Sequence, residues 1–224
     1  RIDFIDEPVD VTFECPLDVH CSYTRDQILG GQVSAKEGLE NYSHNIYAVD
    51  NVTLHATDGN VFNSSALESY KGNVNIIADK GSVVNLSGGD IVALGGDVIL
   101  EAKGETDKAG FTLGDKTYTN GSVINYGDIV AINANAEGED KAAKGEINLN
   151  SAHADVYNYD DFNKYNNDTN ENYDYKQRID TEGRPSDKSF NVATGNINIS
   201  AKEGSIYNSI KEFESLENVT LEAK

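Results

Sequence analysis

A short phrase recurs along this chain at constant distance. Val52-Thr-Leu54-His-Ala56 with Gly59-Asn-Val61-Phe-Asn63 returns as Val74-Asn-Ile76-Ile-Ala78 with Gly81-Ser-Val83-Val-Asn85. It returns again as Ile197-Asn-Ile199-Ser-Ala201 with Gly204-Ser-Ile206-Tyr-Asn208. Val52 and Val74 lie 22 residues apart, as do Ile197 and Val219. Self-similarity at a period of about 20–50 residues marks a solenoid or an array, because one such unit cannot bury its apolar face alone. Within the phrase, Val52, Leu54 and Ala56 share one side of a strand while Thr53 and His55 take the other. A Gly, Asp or Asn turn then leads into a second short strand. Strand-turn-strand units stacked in register give parallel sheets, so the chain reads as an all-β parallel β-helix with coils of about 22 residues.

The register continues through Ile91-Val-Ala93, Val98-Ile-Leu100-Glu-Ala102, Val123-Ile-Asn125, Ile129-Val-Ala131, Ile147-Asn-Leu149 and Val156-Tyr-Asn158. Departures from the period read as insertions at turns. Residues 103–120 hold one, in which Phe111 to Tyr118 form a small hairpin with Gly114-Asp115 as its tight turn. Glu137 to Lys144 is a charged loop. The largest insertion, 159–189, is rich in Asp, Asn and Tyr and nearly free of aliphatic residues. Residues 1–30 lack the repeat and read as a separate amino-terminal cap, leaving 31–224 as the solenoid.

Two further columns follow from parity. Asn63, Asn85, Asn125, Asn158 and Asn208 each follow an apolar residue by two and share its inward direction. A buried asparagine is costly unless its amide is bonded, and stacked coils allow each amide to bond those above and below in a ladder. The alternative is that each Asn ends its strand in a left-handed turn. Between the strand ends, Phe62, Val84, Ile124, Tyr157 and Tyr207 face outward. Such an apolar stripe receives either an extruded loop of the same chain or the surface of a partner.

The formal net charge of −20 argues against nucleic acid or an anionic membrane as partner. No run of about 18 apolar residues is present to cross a bilayer. Cys15 and Cys21, the two cysteines of the chain, enclose a short loop. That spacing suits a disulfide and an extracellular setting, with free thiols or a metal site completed by His20 as the alternatives. The chain contains no methionine and ends on Asn218-Val-Thr-Leu-Glu-Ala-Lys224, the first half of another repeat. A piece of a longer protein is therefore expected.

Gly72-Asn-Val-Asn-Ile-Ile-Ala78 with Gly81-Ser-Val-Val-Asn85, and Gly195-Asn-Ile-Asn-Ile-Ser-Ala201 with Gly204-Ser-Ile-Tyr-Asn208, resemble the β-helical repeats of filamentous-haemagglutinin-type exoproteins. These are large adhesins and contact-dependent inhibition proteins exported by two-partner secretion. The resemblance runs from about Asn51 to Lys224, excluding the long loop. It implies a right-handed β-helical shaft at the bacterial cell surface or secreted from it, with an outer-membrane secretion partner for the parent protein. The cysteine-bearing first segment does not match the repeat.

No nucleophile motif, zinc motif or phosphate loop appears, and basic residues are not clustered in sequence beside carboxylates, so an enzyme is not expected. No cofactor is expected. Asn166 to Asp174 supplies oxygen donors of the kind calcium takes, without the spacing of an EF-hand. The same loop interleaves Tyr165, Tyr173, Tyr175 and Arg178 with Asn and Asp, a mixture that stacks on sugars and bonds their hydroxyls. These four residues are the candidate ligand contacts, with a host glycan or surface protein as partner. Asn-x-Ser/Thr sequons fall at eight positions, of which Asn167 is the exposed candidate for modification, whereas Asn63 and Asn85 sit in the proposed ladder. Two alternatives stand beside the adhesin reading. One is a carbohydrate-active β-helix enzyme. The other is a purely structural stalk of a contact-dependent inhibition or toxin-delivery protein.

Overall fold

A computed structural model describes residues 13–14, 31–35, 38–42, 45–134, 144–159, 190–210 and 212–224. They form a parallel β-helix built on three sheets, with no helix among the described residues. The longest sheet stacks eight strands, from Phe13–Glu14 and Gly31–Ala35 through Val52–Ala56, Val74–Ala78, Val98–Ala102, Ile147–Ser151 and Ile197–Ala201 to Val219–Ala223. A second sheet of six strands runs from Leu39–Asn41 to Ile206–Asn208 and contains the asparagine column. The third, also of six strands, runs from Ile46–Ala48 through Leu67–Ser69, Ile91–Ala93, Ile129–Ala131 and Phe190–Ala193 to Glu212–Ser215.

Repeats place like residues on like. Val52 pairs with Val74, Leu54 with Ile76 and Ala56 with Ala78, all parallel. After the 159–189 insertion Ile197 pairs with Ile147 and Ile199 with Leu149. Alternate side chains of the long strands are fully buried and form one continuous core between the sheets. Each fully buried Val, Ile or Leu contributes about 1.5–3 kcal/mol relative to exposure, which is how a chain with a modest apolar fraction holds an elongated core.

The strand-turn-strand pattern picks out Ile91–Ala93 and Ile129–Ala131 as strands, but not that they belong to a third sheet with Ile46–Ala48, Leu67–Ser69, Phe190–Ala193 and Glu212–Ser215. Leu67-Glu-Ser69 offers one aliphatic residue and no alternation to read. Its inward positions form two columns: a large one through Ile46, Leu67, Ile91 and Ile129, and a small one through Ala48, Ser69, Ala93, Ala131, Ala193 and Ser215. The small column lies where the chain turns toward the long sheet. Ser69 uses its hydroxyl there, donating to the Asp50 carbonyl (2.6 Å) and accepting from the Gly72 N–H (2.9 Å).

Turns stack as regularly as strands. Asn51 Oδ1 accepts the Asn73 N–H (2.7 Å), Asn73 Oδ1 the Asp97 N–H (2.8 Å), and Asp97 Oδ1 the Glu146 N–H (2.8 Å). Turn backbones press on one another: a Cβ at Gly81 would stand 2.2 Å from the carbonyl oxygen of Gly59.

Candidate functional site

The asparagine column is a chain of amides. Asn41 Nδ2 donates to Asn63 Oδ1 (2.9 Å), Asn63 to Asn85 (2.8 Å), Asn85 to Asn125 (2.8 Å), Asn125 to Asn158 (2.9 Å) and Asn158 to Asn208 (3.0 Å). Asn63, Asn85, Asn125 and Asn158 are fully buried. The second proton of Nδ2 is also used: Asn63 donates to the Ser65 carbonyl, Asn85 to that of Gly89 and Asn125 to that of Gly127. Those carbonyls fix which end of each amide is nitrogen. Asn41 was missed in the sequence reading, although Leu39-Glu-Asn41 carries the same apolar-x-Asn signal 22 residues before Asn63.

The outward stripe on the same sheet is roofed over Val84, Ile124 and Tyr157 by the chain's own hairpin, while Tyr207 at its end stays exposed. Phe111–Leu113 pairs antiparallel with Lys116–Tyr118, and the pair folds back over Val84, Ile124 and Tyr157. Val84 and Ile124 are fully buried despite their outward parity, and Tyr157 is 6% exposed. Phe111 stacks on Tyr118 (5.5 Å between centroids), Tyr118 meets Tyr157 edge-on (4.9 Å), and Tyr157 stacks on Tyr207 (4.9 Å). The Tyr118 and Tyr126 hydroxyls share a hydrogen bond of 2.9 Å, and Tyr157 donates to Asp155 Oδ2 (2.8 Å). Burial, aided by these partners, pushes the phenols of Tyr126 and Tyr157 well above their ordinary range. Lys116 Nζ lies 3.9 Å from the Tyr157 ring centroid and within 4.9 Å, 5.2 Å and 5.6 Å of those of Tyr118, Tyr159 and Tyr207. It also donates to the Tyr159 hydroxyl (3.2 Å). This ammonium pins the hairpin to the sheet by cation–π attraction.

A charged corner lies where the long sheet turns toward the asparagine sheet. Asp79 accepts from Lys103 Nζ (2.7 Å) and pairs with His55 Nε2 (2.8 Å). Beside it Lys108 bonds Asp58 (2.8 Å) and Glu105 (3.3 Å), and Lys80 reaches the same two carboxylates. The fold therefore gathers three lysines that are dispersed in sequence. Their partners decide what they can do: Asp79 raises the Lys103 pKa and Asp58 raises that of Lys108. The ion pairs from Lys103 to Asp79 and from Lys108 to Asp58 clamp the 103–110 segment onto the turns of the coils beneath it.

Tyr165, Tyr173, Tyr175 and Arg178, the oxygen-rich stretch from Asn166 to Asp174 with Asn167, and Cys15 and Cys21 lie outside the described residues. Among the described residues, no three His, Cys, Asp or Glu side chains are grouped to hold a metal ion. No helix among them is long and apolar enough to cross a membrane. Compared with family models, curated proteins and solved structures, the chain matches none.

Proposed function

We propose that this chain is a rigid, non-catalytic shaft segment of a bacterial surface-exposed or secreted exoprotein, which carries recognition segments extruded at its turns. The observation that supports this reading is the indifference of the core to insertion length. Successive ladder asparagines are separated by 22, 22, 40, 33 and 50 residues, yet each amide meets the next. Extra residues leave the coil at a turn and the register resumes beyond them. A scaffold of that kind displays variable segments without disturbing its own stability.

In this reading the 160–189 segment, with Tyr165, Tyr173, Tyr175 and Arg178, contacts a host glycan or surface protein, and the parent protein reaches the cell surface through an outer-membrane partner. The test compares the full chain with a 160–189 deletion on a broad panel of glycans and host-matrix proteins. Saturable binding by the full chain that disappears on deletion, with the far-ultraviolet spectrum unchanged, supports the recognition role. Binding unchanged by the deletion removes the recognition role from that segment and leaves the shaft alone.

A further inference from the structure

The three outer faces of the solenoid differ in chemistry. That of the asparagine sheet is apolar and roofed by the hairpin. That of the third sheet carries Val92, Val130 and Val192 in register. The eight-stranded sheet instead presents an ordered polar array. One outward column runs through Thr53, Asn75, Ile99, Asn148, Asn198 and Thr220 and contains no charge. In the parallel column from His55 to Glu222, the only carboxylates are Glu101 and Glu222. From Thr53 to Ser200 these side chains are half-buried, each flanked by its neighbours above and below. From Thr53 to Ser200 the ten outward positions carry one carboxylate, Glu101, and no lysine or arginine.

The array is also held in place. Asn198 Nδ2 donates to Asn148 Oδ1 (3.0 Å), and Asn75 Nδ2 to Thr53 Oγ1 (3.2 Å). These bonds hold the side chains of Thr53, Asn75, Asn148 and Asn198 and use only part of the hydrogen-bonding capacity of each amide. Strand stacking sets successive positions ~4.7–4.9 Å apart along the solenoid axis, in two columns roughly 6.6–6.8 Å apart, with Ile99 interrupting one column and Ile77 the other. Side chains ordered before a ligand arrives lose little entropy on binding it.

A matching ligand is an extended polymer with hydrogen-bond donors and acceptors at short regular spacing and no charge of its own. An anionic polymer is repelled by the surrounding carboxylates, and a cationic one is drawn to the acidic turns rather than to this strip. We propose that the outer face of the eight-stranded sheet binds a neutral polysaccharide chain laid along the solenoid axis, its hydroxyls taken by Asn148, Asn150, Asn198 and Ser200. The site is separate from the 160–189 segment and does not depend on its role.

The experiment is affinity electrophoresis of the full chain through gels containing a neutral glucan, a mannan or a galactan, with polygalacturonate as the anionic control. The expected result is retardation by at least one neutral polymer, equally at low and high salt. The Asn150→Ala/Asn198→Ala variant weakens that binding about tenfold or more, equivalent to about 1.4 kcal/mol, while deletion of 160–189 leaves it unchanged. Ser200→Glu, which adds a charge to the strip without removing an amide bond, gives the same loss should the double variant fold poorly. No retardation by any neutral polymer, retardation by polygalacturonate alone, or binding that survives both the double variant and Ser200→Glu overturns the proposal. Binding lost only on deletion of 160–189 also overturns it and places the contact in the loop.

Discussion

Asn191 stacks directly on Ile129 in the large inward column of the third sheet, fully buried, with neither Oδ1 nor Nδ2 bonded to a partner among the described residues. Its neighbour Val192 points outward over Val130. The hydrophobic pattern of Phe190-Asn191-Val192 alone would place the strand one residue out of phase. The small column opposes this, because the shift that seats Phe190 on Ile129 also presses Val192 onto Ala131 at the tight corner. Keeping Ala193 over Ala131 forces the asparagine inside.

Asn191→Val is therefore expected to stabilise the protein. An unsatisfied buried amide costs about 1–3 kcal/mol, and a β-branched aliphatic residue suits the site. Thermal unfolding is expected to shift upward by several degrees, whereas Ala193→Leu, which overfills the corner, lowers it. A variant Asn191→Val no more stable than the parent shows that the amide is satisfied in solution.

Asn85 sits in mid-ladder, bonded to Asn63, Asn125 and the Gly89 carbonyl. Asn85→Ala strips Asn63 of an acceptor and Asn125 and Gly89 of a donor. At about 1–3 kcal/mol for each buried group left unsatisfied, it is expected to cost more than Asn208→Ala at the exposed end of the column. Equal losses of denaturation midpoint for the two variants contradict the ladder as an energetic element.

Above pH 10 the hairpin and its sheet are expected to loosen together. The phenols of Tyr126 and Tyr157 are raised by burial, so the folded state keeps protons that the unfolded state releases. Their contribution is fully present below the ordinary tyrosine value of 10.0 and is lost as the pH rises beyond it. Tyrosinate absorbance is expected to rise in two phases, the later one coincident with loss of the β-sheet spectrum. A single phase completed while the sheet signal is intact refutes this.

Lys116→Met keeps the apolar stem and removes the charge. Loss of an exposed cation–π contact is worth about 0.5–1 kcal/mol. Hydrogen exchange is expected to quicken across Phe111–Tyr118 and to stay unchanged in Val74–Ala78. Uniform quickening in both segments assigns Lys116 to global stability instead.

The bond from Lys103, reinforced by His55, holds the Asp79 carboxyl below its ordinary value. Its stabilisation is present at neutral pH and is lost as the pH falls through and below 3.8, the unperturbed aspartate value. Both side chains are partly exposed, so the effect is at most about 1 kcal/mol. Asp79→Asn is expected to lower the melting temperature slightly at pH 7 and to match the parent in strong acid. A difference that persists in acid points to packing rather than charge.

The sequence discloses what repeats and hides what happens once. Val52, Val74 and Ile197 recur with neighbours of the same parity, so the coil, its long strand and the asparagine column are legible. The third sheet is legible only at Ile91–Ala93 and Ile129–Ala131, because Leu67 and Ile46 each stand alone in a three-residue strand. That the outward stripe is covered required knowing that Phe111 and Tyr118 fold back over Ile124, a contact set by the hairpin's path rather than by any pattern. The charged corner joins Asp58 to Lys108 across 50 residues, and no local signal links them. Asn191 is hidden for the opposite reason: its own strand suggests the wrong face, and the corner it adjoins overrules it.

The ladder also gives the molecule a polarity. Each amide from Asn41 to Asn158 donates to the asparagine of the next coil, ending on Asn208 as acceptor, so the dipoles align head to tail like magnets in a row and polarise one another. An inverted coil would set carbonyl against carbonyl at one junction and amine against amine at the other. Copies of such a coil can be spliced into the rod at any level, but only in one sense.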